Sequence, residues 1–218
     1  MKTNALCLAA AVAWTGEKKL PLLYETAFDK GADDWHPTEK DTWKVAEADG
    51  NKFYSQYTRK DTYKPPFRSP FHISLLKDVI ASDFELKLRV RSTVADYGHR
   101  DVCLFFGYQD PSHFYYVHLG KVADPNSCQV MIVNKAPRKA ITKKTAKGIG
   151  WDDKWHDVRI VRRVEDGTIE VYFDDMKTPV LTAEDKTFAW GQVGVGTFDD
   201  TADFDDVKLW GKKAEKNR

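Results

Sequence analysis

The sequence predicts an all-β fold, a two-sheet antiparallel jelly-roll sandwich. Three observations carry this: apolar residues alternate with polar ones at a period of two, turn residues recur between those runs, and helical periodicity is nearly absent. Many short strands at regular spacing make a sandwich or jelly roll, and 218 residues suffice to bury two full sheets against each other in one domain.

In chain order, Lys2 precedes the apolar run of residues 5–13, and Ala11-Val12-Ala13 forms a small-x-small cleavage site. Residues 1–13 read as a secretory signal peptide with Trp14 as the first mature residue, and the run is too short to span a bilayer. The alternative is an N-terminal helix or strand packed on the domain. Export implies a secreted or periplasmic protein, and no other segment is apolar and long enough to insert in a membrane.

Residues 74–80 are the only candidate helix, one or two turns long. From Asp83 to Arg91, Phe84, Leu86, Leu88 and Val90 alternate with Glu85, Lys87, Arg89 and Arg91, so one face is core and the other is solvent. Residues 102–108 and 114–119 are two strands joined by a five-residue turn, Gln109 to His113, and residues 128–134 follow. Residues 155–164 and 168–173 flank Glu165-Asp166-Gly167, the signature of a hairpin with a tight turn. Residues 191–198 and 204–210 complete the strands, and 212–218 form a flexible basic tail.

Lys and Arg number 34 against 33 Asp and Glu, so the standing basic excess that nucleic acid or an anionic membrane requires is missing. Seven Trp, nine Tyr and twelve Phe either fill two large sheets or, where exposed, offer ring faces on which a pyranose can stack. After cleavage Cys103 and Cys128 remain, which permits a disulfide and equally permits two free buried thiols.

Three stretches taken together resemble a known superfamily: Phe105-Phe106-Gly107-Tyr108-Gln109-Asp110 leading into Tyr115-Tyr116-Val117-His118-Leu119, then Trp155-His156-Asp157-Val158-Arg159-Ile160, then Gly194 to Phe198 with Phe204 to Leu209. Their order is similar to the concanavalin A-like lectin/glucanase superfamily, laminin-G-like domains included, and most similar to 3-keto-disaccharide hydrolase-type domains. The resemblance implies one such domain over residues 14–211, with an oligo- or polysaccharide in a concave groove. It leaves open a binding module, an enzyme and a laminin-G-like adhesion module, because one fold hosts all three.

Retaining glucanases of that superfamily place two carboxylates on one strand as Glu-x-Asp-x-x-Glu, and that motif is missing from this sequence. A uronate lyase needs a carboxylate neutraliser, a base and an acid. Alternation sets Phe114, Tyr116 and His118 on one face of their strand, so Tyr116 and His118 are candidate acid and base, or else the residents of a wet face. The Tyr116-Val117-His118 triplet resembles the Gln-Ile-His strand of jelly-roll alginate lyases, with Tyr116 in place of Gln. Arg89 and Arg91 are candidates for substrate binding, and His99 with Arg100 forms a second catalytic candidate whose plain reading is a solvated loop. Trp35 and Trp151, flanked by Asp, are candidate stacking platforms. Jelly rolls of this kind imply a structural Ca²⁺ joining first and last strands, for which Glu25 and Asp206, with a carbonyl near Gly50, are the matching oxygens.

Overall fold

The structure is a computed structural model that describes residues 20–215; the expected signal peptide, residues 1–13, lies outside them. Strands β1 (Leu22–Thr26), β2 (Trp35–Pro37), β3 (Trp43–Ala48), β4 (Asn51–Gln56) and β5 (His72–Leu76) open the chain. The long β6 (Ala81–Ser92) follows, then β7 (Asp101–Asp110), β8 (His113–Gly120), β9 (Gln129–Asn134), β10 (Lys139–Ala140) and β11 (Thr142–Lys144). Next come β12 (His156–Arg162), β13 (Thr168–Phe173), β14 (Leu181–Glu184), β15 (Gln192–Thr197) and β16 (Ala202–Lys213). Among the described residues the only helical element is a 3-10 turn, Lys40–Thr42.

These strands form two antiparallel sheets. The nine-stranded sheet runs β11-β14-β13-β12-β6-β16-β4-β3, with β1 also on β16; the seven-stranded sheet runs β10-β9-β8-β7-β15-β5-β2. Between them lies the main core, to which β6 contributes Phe84, Leu86, Leu88 and Val90, β7 contributes Val102, Leu104 and Phe106, and β8 contributes Tyr115, Val117 and Leu119. Burying each such side chain is worth about 1.5–3 kcal/mol, which makes this interface the principal source of stability.

A second apolar cluster covers the outer face of the seven-stranded sheet: Ile73, Cys103, Phe105, Tyr108, Phe114, Tyr116, Met131, Val133 and Phe198. Its lid is residues 57–71, which contain no regular secondary structure and place Tyr63, Phe67 and Phe71 on the cluster. Backbone bonds pin this segment down, from Phe71 N to Phe198 O and from Arg138 N to Arg68 O. At Gly107, with φ +56°, β7 bulges; Phe106 points into the main core and Tyr108 into the outer cluster, a parity that strict alternation would forbid.

Three expectations need correction, and one open alternative is settled. Residues 74–80 are not helical: Ser74, Leu75 and Leu76 belong to β5, where pairing with β15 and β2 overrides a short apolar run that periodicity cannot classify. The hairpin between β7 and β8 turns on Pro111 and Ser112 alone, because Asp110 pairs with His113 and its carboxylate accepts from the Ser112 N–H. The basic tail does not begin at 212, since β16 continues to Lys213 and the Ala214 N–H bonds to Ile80 O. Cys103 and Cys128 are both free, and they sit in the outer and main clusters respectively, on opposite sides of one sheet.

Candidate functional site

The side chains that the sequence singled out fall on two different sheets. Arg89 and Arg91 stand on β6 in the nine-stranded sheet, Tyr116 and His118 on β8 in the other. Arg89 pairs with Asp205 and Asp206 at 2.8 and 2.7 Å, and Arg91 with Asp203 at 2.7 Å; both guanidinium groups also lie over the Trp155 ring. Their charge is therefore already matched within the sheet.

His99 is exposed, beside Tyr97. Arg100 is not part of a solvated loop: it is 2% exposed and donates to Ser92 Oγ, Ser92 O, Asp152 O and Asp153 Oδ1, so it clamps the end of β6 to the loop before β12 and has no reach to a ligand. Trp35 and Trp151 are not stacking platforms either. They are 4% and 5% exposed, their indole N–H groups donate to Tyr24 Oη and Leu119 O, and their rings fill the main core. Flanking aspartates solvate the neighbouring backbone and leave the indole free to turn inward.

Glu25 and Asp206, the residues expected to hold Ca²⁺, each have a cationic partner within the protein. Glu25 lies 3.8 Å from Lys208 Nζ and Asp206 is held by Arg89, so each carboxylate faces a cation rather than a shared centre. One group of metal-ligating side chains does converge among the described residues: Asp101, Cys103 and His118, with donor atoms within 4.8 Å of one another. Sulfur, imidazole and carboxylate would suit zinc rather than calcium. Here Asp101 Oδ2 and His118 Nε2 hydrogen-bond directly at 2.7 Å, and burial followed by the Asp101 charge pushes the Cys103 thiol well above its ordinary range.

Tyr116 and His118 share a face as alternation predicts, but that face is not wet: they are 0% and 6% exposed beneath the 57–71 segment. The reason is tertiary, since aromatic side chains far along the chain cover the sheet. His118 Nδ1 donates to Asn126 O at 2.7 Å while Nε2 shares a proton with Asp101, which leaves neither nitrogen free to accept a proton from a ligand. Its ring stacks on Phe198 at 5.8 Å.

Two arginines that the sequence reading missed complete the cluster. Arg138, just before edge strand β10, lays its guanidinium on the Phe198 ring at 4.0 Å, and Arg68, from the lid, lies 5.6 Å from the same ring. Arg138 Nε and Nη1 are buried and bond to nothing, and the buried Tyr116 hydroxyl likewise has no partner. Burial and then Cys103 push the Tyr116 phenol well above its usual value, with Arg138 and Arg68 pulling it back. At 0% exposure beneath the lid, this hydroxyl has no more reach to a ligand than Arg100 does. The sequence did carry a trace of this site in the lid's Tyr63, Phe67 and Phe71, which need a surface to cover, but nothing local to Arg138 marked it.

Neither a family model nor a curated protein matches the chain. Solved structures do. The carbohydrate-binding module CBM66 from Bacillus subtilis superposes with a TM-score of 0.58 at 17% identity, covering 82% of this chain and 96% of its own. Domain 4 of AbnA, an extracellular GH43 arabinanase from Geobacillus stearothermophilus solved with arabinotriose, gives 0.58 at 12%, covering 91% and 96%. A Bacillus subtilis protein with a galectin-like fold gives 0.57 at 11%, covering 91% and 99%. At these identities the likeness is one of architecture, and the chain is a two-sheet jelly-roll sandwich of the same fold as these domains.

Proposed function

We propose that this protein binds an oligo- or polysaccharide at the edge of the lidded outer face, where Arg138 and Arg68 meet the Phe198 ring. One observation carries the reading: two shielded N–H groups of the half-buried Arg138 guanidinium, Nε and Nη1, have no acceptor. Leaving such a group unpaired costs about 1–3 kcal/mol, which an oxygen-rich ligand recovers on binding. Sugars supply many hydroxyl oxygens, and sandwiches of this fold include a carbohydrate-binding module and a domain solved with arabinotriose. Binding rather than turnover is favoured, because the acid and base candidates are separated from Arg89 and His99 and the His118 nitrogens are both engaged.

Arg68→Ala tests this directly. Arg68 is exposed and its side chain makes no hydrogen bond among the described residues, so the melting temperature should stay unchanged, whereas affinity for a glycan identified on a printed array should fall about tenfold by calorimetry, the worth of one hydrogen bond to a ligand. Unaltered affinity in the variant, or an array without a single bound glycan, would reject the reading.

A further inference from the structure

We infer that the glycan bound here is anionic, and that Arg138, with Arg68 at the rim, holds its carboxylate or sulfate group. This rests on the glycan-binding reading and names its ligand class. The argument starts from how the other buried arginines are treated. Arg100 makes four hydrogen bonds, and Arg162 donates to Gly167 O, Asp185 O and Phe188 O. Arg138 and Arg68 make no side-chain hydrogen bond or ion pair among the described residues, although Arg138 is half-buried with Nε and Nη1 shielded from water. A desolvated guanidinium without an anion is costly, so the missing partner is a charge and not merely a lone pair.

The nearby protein carboxylates do not fill that role. Asp101 is spent on His118 and on the Phe198 N–H, and Asp200 accepts from Tyr97 Oη and from the Asp101 N–H. Arg138 leaves Nε and Nη1 without acceptors; they lie on different edges of the guanidinium, so each takes its own oxygen in a charge-assisted hydrogen bond. Phe198 beneath fixes the plane of the guanidinium. Arg68, exposed above it, supplies a second positive charge toward the entrance. Neutral hydroxyls would satisfy the same N–H groups with bonds about half as strong.

The test titrates the full chain, by calorimetry, with an oligogalacturonate, the same oligomer after carboxyl reduction to the neutral sugar, a sulfated galactan oligomer, and inorganic sulfate. The expected result is binding of at least one acidic oligomer that weakens tenfold or more in Arg138→Ala and on raising salt. If the oligogalacturonate is the ligand, carboxyl reduction should abolish its binding; preference for the sulfated oligomer would assign sulfate as the group held. Lys208→Ala, on the other sheet, should change nothing. Equal affinity for the acidic and reduced oligomers, undiminished in Arg138→Ala, overturns the anion subsite while leaving a glycan face intact. Arg138-dependent binding of inorganic sulfate with no glycan bound keeps the anion subsite and overturns the glycan reading; no binding of any of the four overturns the inference.

Discussion

His118 has both ring nitrogens bonded, to Asn126 O and Asp101, while Tyr116 two residues earlier on the same face has a hydroxyl bonded to nothing. The difference lies in partners that other segments of the chain supply, and strand alternation does not reveal it. Asp200 makes the companion point about charge. It is fully buried; burial raises its carboxyl to about 6, with the charges of Asp101 and Asp199 adding to the rise, while the Tyr97 hydroxyl opposes it. Because the folded state holds this proton more tightly than the unfolded chain, the contribution is most favourable below the unfolded value near 3.8 and is lost as pH climbs through about 6. Chemical denaturation should show about 1–3 kcal/mol of stability lost from this group between pH 4 and 7, reduced somewhat by Arg59 at 3.5 Å. In Asp200→Asn that pH-dependent difference should shrink, even though the amide cannot accept both the Tyr97 and Asp101 bonds and lowers stability overall. An unchanged pH slope would assign the titration elsewhere.

At the scale of elements, β15 shows why glycine occupies a central strand. It lies between β5 and β7, and a Cβ on Gly196 would stand 1.8 Å from His72 O and 3.1 Å from the Phe105 ring. The first of these is backbone of the neighbouring strand and has nowhere to go. Gly196→Ala should therefore cost about 1–3 kcal/mol or more in urea denaturation, and should also displace Phe105 in the outer cluster; a loss below about 0.5 kcal/mol would mean the strands separate freely. Strand β8 illustrates what alternation can and cannot say. Its parity assigned Tyr115, Val117 and Leu119 to one face and Phe114, Tyr116 and His118 to the other, as observed. Whether the second face met water depended on residues 57–71, which carry no periodic signal and come from the far side of β5.

For the whole molecule, two sheets with apolar material on both sides of the seven-stranded one amount to three layers: sheet, sheet and lid. Cys103 and Cys128 lie on opposite sides of the middle layer, which prevents a bridge between them. Both should resist alkylation in the native protein and react fully in denaturant without any reductant, as mass spectrometry of their peptides can show; a modification that required reduction first would contradict the layer assignment. The sequence by itself determined strands β6 to β9, β12, β13, β15 and β16, because period-two alternation, clearest in β6, β8 and β12, is imposed by the pleat and survives any packing. It also determined which residues share a face. Only the tertiary structure decided which faces are wet, which charges are matched and where Arg68 and Arg138 meet Phe198. Those depend on contacts between segments distant along the chain, and a side chain's solvent and partners are properties of the assembled layers, not of its neighbours in sequence.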